Sequence, residues 1–166
     1  MKVNIALLTV TDTRTIDNDK SGAILVKKIE EAKHNLIDRK ICKDNKDEIV
    51  VILKNWLQNN QIDVIITTGG TGLTGRDITP EALDVIADKH IPGFGEIFRY
   101  LSLKTVGTSS IQSRACAVLA KGKYIFALPG SSGGVTDAWE GILKHQLDIN
   151  NKPCNFVELI PRLKEQ

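Results

Sequence analysis

The chain has 166 residues, 42% of them apolar and 25% charged, and its 22 basic and 20 acidic side chains leave a net charge of +2. That length suits one domain spanning residues 1–166 with an ordinary core, and the composition excludes collagen-like and disordered classes. A near-neutral balance without a basic stripe argues against nucleic acid as a partner.

Lys27-Lys28 and Lys121-Gly122-Lys123 are isolated groups that read as a solvated helix face and a solvated turn. Cys42, Cys116 and Cys154 have neither the number nor the spacing of a disulfide framework or a zinc cluster, so each is expected as a buried, reduced thiol. His34, His90 and His145 are equally scattered. The opening MKVNIALLTVTDTR has no cleavage-site pattern, and no stretch approaches the roughly 20 apolar residues of a membrane span. A cytoplasmic protein without membrane contact is the expectation.

In chain order, Val3–Val10 reads as a strand buried on both faces, followed by a polar loop to Lys20. A helix is predicted over Ser21–Ala32 and a strand over Leu36–Cys42. Asp44–Asn59 repeats apolar residues at helical spacing, with Asp44 placed to cap it and Asp47 three residues on. Asp63–Thr68 is an apolar strand that runs straight into Gly69-Gly70-Thr71-Gly72. Thr79-Pro80-Glu81 has the form of a helix start, with Thr79 as cap and the helix reaching about Asp88. Pro92–Leu103 reads as a helix with Ile97, Phe98 and Leu101 inward, and Ala115–Ala120 and Tyr124–Leu128 as a hairpin turning at Lys121-Gly122. A loop over 129–134, a helix over Thr136–Leu147 and an irregular tail complete the chain.

Alternating strands and helices predict a three-layer α/β/α sandwich, its sheet mostly parallel with one antiparallel strand from the hairpin. Ligands of such sheets bind beyond the carboxyl ends of the parallel strands. The segments leaving those ends are Thr11–Arg14, Lys43–Asp44, Gly69–Asp77 and Pro129–Gly134, and Ser109–Arg114 joins them if the hairpin has the expected direction.

The run Thr67 to Asp77 is the strongest candidate, because glycines after a strand allow close backbone approach and successive amides form a nest for phosphate. Thr71 and Thr74 add hydroxyls. The run is neither a Walker loop nor GxGxxG. With Thr79 as the cap, Asp77 is either a spare carboxylate for Mg²⁺ or a loop aspartate satisfied by local amides. Asp44 is either a helix cap or a second acid at the same rim. Ser109, Ser110, Ser113 and Arg114 suit an anion or a polar turn, and Pro129–Ser132 and Thr11–Arg14 have the same two readings.

In order, TDTR (Thr11–Arg14), TTGGTG (Thr67–Gly72), RDITPEA (Arg76–Ala82), PGFGEIFR (Pro92–Arg99), Gln112-Ser113-Arg114 and LPG (Leu128–Gly130) resemble the molybdenum-cofactor biosynthesis protein B and molybdopterin adenylyltransferase family. The tail Pro153-Cys154-Asn155-Phe156 is similar to the bacterial B proteins. The resemblance implies a molybdopterin-binding fold, self-association to a trimer or hexamer, and contact with other molybdenum-cofactor enzymes. It also implies a reaction in which molybdopterin and ATP give adenylylated molybdopterin and pyrophosphate with Mg²⁺. By that resemblance Asp44 and Asp77 are the catalytic and metal-binding acids. Gly69, Gly70, Thr71, Gly72, Thr74, Arg76 and Glu81 fall to the nucleotide. Thr11, Asp12, Ser109, Ser113, Arg114, Pro129, Gly130 and Ser131 fall to the pterin and its phosphate. Ser131-Ser132 departs from the Asn/Gln-Pro that follows Pro-Gly in the adenylyltransferases. Three functions stay open: an adenylyltransferase, a non-catalytic molybdopterin holder with weak nucleotide binding, and an oligomeric nucleotide-binding scaffold.

Overall fold

The computed structural model describes residues 1–165. A six-stranded sheet runs β2 (Asn35–Cys42), β1 (Asn4–Val10), β3 (Val64–Thr68), β6 (Lys123–Leu128), β5 (Cys116–Ala120), β4 (Lys89–His90) from edge to edge. The first four strands are mutually parallel, and β5 runs against both of its neighbours. Lys121 and Gly122 take the positive φ that the β5–β6 hairpin turn demands.

Side-chain alternation along the strands divides the core into two layers. Ile5, Leu7, Ile66 and Phe126 face a layer closed by α1 (Lys20–Glu31), α4 (Pro92–Val106) and α5 (Ser132–Ala138). Helix α5 continues through a π-helical turn, Trp139–Leu143, into α6 (Lys144–Gln146). Ala6, Leu8, Ile65 and Ile125 face α2 (Lys46–Gln58) and α3 (Thr79–Ile86). The three-layer α/β/α sandwich expected from the sequence is therefore present. Among the described residues no helix is long and apolar enough to cross a membrane.

Several local expectations need correction. Helix α2 is capped by Asn45, not Asp44, because the chain runs one residue further before turning; the Asn45 carboxamide accepts from Asp47 N at 3.0 Å and Glu48 N at 3.1 Å. Thr79 does not cap α3 with its side chain, since its hydroxyl donates to the Gly69 carbonyl at 2.9 Å. Helix α1 starts one residue earlier than expected because Asp19 caps it, and α5 starts at Ser132, so helix takes up part of the 129–134 loop. Ile97 is 53% exposed while Phe94 and Phe98 carry the inward face of α4. Cys154 is exposed and Cys116 only partly buried; Cys42 alone is buried, which pushes its thiol up to about 12. Lys123 is buried, its ammonium donating to the carbonyls of Asn59 and Ile62 beyond the end of α2. Strand β4, two residues long, is too short to leave a pattern in the sequence. The tail holds α7 (Phe156–Leu159) and a 3₁₀ turn, Ile160–Arg162, anchored by buried Val157.

Candidate functional site

The site grows out of the end of β3. Gly69 and Gly70 have φ of +99° and +67°. A Cβ on Gly69 would stand 2.1 Å from the Val10 carbonyl oxygen, and one on Gly70 would stand 2.4 Å from Thr79 Oγ1 and 3.1 Å from Asp44 Oδ1. Glycine is required at both positions for conformation and for space. The loop's carbonyls are held from behind. Thr79 N donates to Gly70 O at 3.0 Å and Arg114 N to Thr71 O at 2.9 Å. The Arg114 guanidinium donates to Gly72 O at 2.7 Å and Asp77 O at 3.0 Å, and pairs with Glu81. By contrast, the amides of Gly70 and Thr71 have no backbone acceptor among the described residues, and both residues line a cleft. Paired carbonyls behind and free amides in front are what an anion nest requires.

Three acids and one arginine gather beside the nest. Asp12 and Arg76 form a two-pronged ion pair, 2.9 Å on each prong, joining the loops after β1 and β3. Asp12 Oδ1 also accepts from Asp44 N at 3.2 Å. Arg76 lowers the Asp12 carboxyl below its ordinary range, first by hydrogen bonding, and is itself raised by Asp12. Asp77 Oδ2 accepts from the Thr74 amide at 2.8 Å and hydroxyl at 2.7 Å. Partial burial works to raise Asp77, but these bonds and Arg114 prevail and its carboxyl is lowered. The local-amide reading of Asp77 is therefore met by Thr74 at Oδ2, with the Gly72 amide adding to it. Asp44 differs: among the described residues no side chain donates to its carboxylate, and burial, then repulsion by Asp12 and Asp77, outweighs Arg76 and the Asp12 backbone amide and pushes it up.

These residues line a cleft of about 640 Å³. Of the candidates from the sequence, Thr11, Asp44, Arg76 and Asp77 reach it, as do Gly69, Gly70, Thr71 and Gly72. Ser109 and Ser113 form its second side and Pro129, Gly130 and Ser131 its third. Asp12, Thr74, Glu81 and Arg114 do not line it. Thr74 is turned to Asp77, Asp12 to Arg76, and Glu81 and Arg114 to each other; these four support the wall. The cleft also contains residues not singled out from the sequence, notably Phe98, Ser102, Thr105, Val106 and Asp137. Their signal was weak, since Ser102 and Thr105 look like surface positions of an amphipathic helix. A smaller polar hollow of about 200 Å³ adjoins the cleft at Val10, Thr11, Gly130 and Ser131, and holds Arg14, Lys20 and Ser21. Beneath it, buried Asp19 accepts from Thr9 Oγ1 at 2.6 Å and Arg39 at 3.0 Å, fixing the start of α1.

Among the described residues no three His, Cys, Asp or Glu side chains stand close enough to hold a metal by themselves. The donor set instead fits Mg²⁺, which takes one or two carboxylates and completes its shell with water and phosphate oxygens. Asp44, half-buried and repelled by Asp12 and Asp77, is in the state that a cation would relieve.

The family model described as "Probable molybdopterin binding domain" matches residues 6–148. This chain belongs to that family. Molybdenum cofactor biosynthesis protein B of Escherichia coli K12 is 44% identical over 152 residues, covering 92% of this chain and 89% of its own. A crystal structure of a molybdenum cofactor biosynthesis protein B superposes with a TM-score of 0.89 at 35% identity, covering 100% of this chain and 98% of the other. The tungsten cofactor synthesizing protein MoaB of Pyrococcus furiosus superposes at 0.78 with 33% identity, covering 87% and 92%. Membership places the chain in molybdenum cofactor biosynthesis.

Proposed function

We propose that the chain binds molybdopterin and Mg-ATP together and transfers the adenylyl group to the pterin phosphate, releasing pyrophosphate. The observation that carries this reading is the Asp44 carboxylate lining the cleft beside Asp77, at the lip of a nest whose Gly70 and Thr71 amides have no acceptor among the described residues. Asp44 and Asp77 would hold Mg²⁺, which when bound neutralises charge on the polyphosphate.

The nucleophile is a terminal phosphate oxygen of the pterin. Its second pKa near 6 leaves it ionised at neutral pH, so no protein base is needed. A new P–O bond forms at the α-phosphorus of ATP, the bond to the β-phosphate breaks, and pyrophosphate leaves. The protein's work is to hold two anions in line and to offset their charge. The Gly70–Thr71 amides meet phosphate oxygens, and Arg76, held by Asp12, adds positive charge at the mouth.

Pyrophosphate release from molybdopterin, ATP and MgCl₂ tests this directly. Asp77→Asn should slow it by more than about tenfold, the scale of a misplaced charge-stabilising group. Background release alongside tight molybdopterin binding would favour the non-catalytic holder. The 129–134 segment supports that second reading, because it opens a helix at Ser132 where the adenylyltransferases continue with proline. Self-association is supported by a row of exposed apolar residues on and after α4, Ile97, Tyr100, Leu103, Val106 and Ile111. Light scattering would distinguish trimer, hexamer and monomer.

A further inference from the structure

The far end of the cleft, away from the nest, lies between the last turns of α4 and the body of α5. Phe98 and Val106 supply apolar wall there, and Ser102 and Thr105 supply hydroxyls. Among the described residues, Asp137 on α5 is the carboxylate that lines that end. Its Oδ2 accepts from Thr105 Oγ1 at 3.0 Å. Its Oδ1 accepts no hydrogen bond, and no Lys, Arg or His among the described residues pairs with it. One oxygen is thus oriented by a neighbouring helix while the other is free to meet a ligand in the cleft.

An ionised carboxylate only accepts hydrogen bonds. Its best planar partner presents two adjacent N–H donors, as a guanidinium does. A 2-amino-4-oxo heterocycle has that edge, with a ring N–H beside an exocyclic amino group. Adenine offers its amino group beside a ring nitrogen that is itself an acceptor and repels the second oxygen. The end of the cleft holding Asp137 therefore favours a pterin ring over adenine, with the apolar Phe98 and Val106 walls available to the ring and the nest to the phosphates.

We propose that Asp137, oriented by Thr105, is the specificity residue that reads the amino and ring N–H edge of the pterin and so assigns this end of the cleft to the pterin. The inference rests on the molybdopterin reading above and adds which residue selects the ring. A guanine base shares the same edge, so guanosine serves as a control for how much of the selection the carboxylate alone supplies.

The test is calorimetric binding of 6-hydroxymethylpterin phosphate and its 2-oxo lumazine counterpart, which replaces the amino donor with an acceptor. The wild-type chain should prefer the pterin by about tenfold or more, the scale of one or two hydrogen bonds to a charged group. Asp137→Asn, which keeps size and can still accept from Thr105, should bring that ratio close to one and leave ATP affinity unchanged. Thr105→Val should give an intermediate ratio. If Asp137 merely ties α5 to α4, Asp137→Asn will shift the melting temperature and leave the ratio intact, and the proposal fails. It also fails if Asp137→Asn weakens ATP rather than the pterin. Absence of pterin binding by the wild-type chain would overturn the molybdopterin reading itself, a different result from an unchanged ratio.

Discussion

Two glycine-rich segments meet at the cleft, and they are built on different principles. In the loop after β3, each glycine answers a local demand. Gly69 and Gly70 have positive φ, their missing Cβ atoms make room for Val10, Thr79 and Asp44, and Arg114 grips the carbonyl of Gly72. In the segment after β6, Thr68 Oγ1 donates to Pro129 O at 2.7 Å and Ser131 caps α5 through Gly134 N at 3.1 Å. Gly133 has open space around it and no positive φ. The first segment is a fixed frame around amides that point to a ligand. The second is an ordinary helix entry that happens to contain glycine. Glycine content alone therefore carries little; the backbone angle and the atom opposite decide what each glycine does.

Substitution can break this comparison. Gly69→Ala should be the most damaging change, costing about 3–5 kcal/mol from unfavourable φ together with a clash against backbone that cannot move aside. On a total stability of about 5–15 kcal/mol, that is enough to leave a large unfolded fraction, visible in a chemical denaturation curve. A midpoint unchanged from wild type would show that the loop is not fixed in the way described. Arg114→Gln should come next. It strips donors from the Gly72 and Asp77 carbonyls and leaves Glu81, whose Oε2 already lacks a partner, without its cation. Because the pair is partly exposed, water can replace some of what is lost, and about 1–2 kcal/mol is expected. Arg114→Lys should recover little, since an ammonium cannot span the carbonyls as the guanidinium fork does. Gly72→Ala sharpens the contrast further. Its Cβ would stand 2.8 Å from Asp77 Oδ2, a side chain that can turn aside only by giving up its bonds to Thr74. Stability should fall by no more than about 1 kcal/mol, while pyrophosphate release drops about tenfold as Asp77 leaves Thr74.

The same contrast explains what the sequence could reveal. Near-continuous apolar runs within Asn4–Val10 and Val64–Thr68 make the strands and their parallel order readable, because burial on both faces removes the polar alternation of a half-exposed strand. The convergence of Thr11, Asp44, Gly70, Asp77 and Ser113 on one rim followed from that order. Cap assignments failed by a single residue at Asp44 and altogether at Thr79, since a hydroxyl or carboxylate near a helix start has several acceptors and donors in reach and only the fold selects one. The resemblance assigns Arg114 and Glu81 to ligands, whereas in the fold they pair with each other behind the cleft wall; an arginine that braces a loop and one that binds phosphate are spelled alike. Asp137 and Thr105 were hidden for the opposite reason. Both sit on polar faces of helices, and only the packing of α5 against α4 turns those faces into a cleft wall.

Gly133→Ala is the mildest of these changes and the one that most directly tests the second segment. The added methyl group meets no atom within 4 Å. It also restricts the unfolded chain at a position already helical, so stability should rise by about 0.5 kcal/mol. Gly134 beside it is not equivalent, as its Cβ would stand 2.9 Å from Pro129 Cβ and from Ser131 Oγ. If the segment is only a helix entry, Gly133→Ala will keep wild-type pyrophosphate release together with a slightly higher melting temperature. A fall in stability approaching that of Gly69→Ala would mean that the 129–134 segment is a second constrained frame, and that both walls of the cleft are fixed before any ligand arrives.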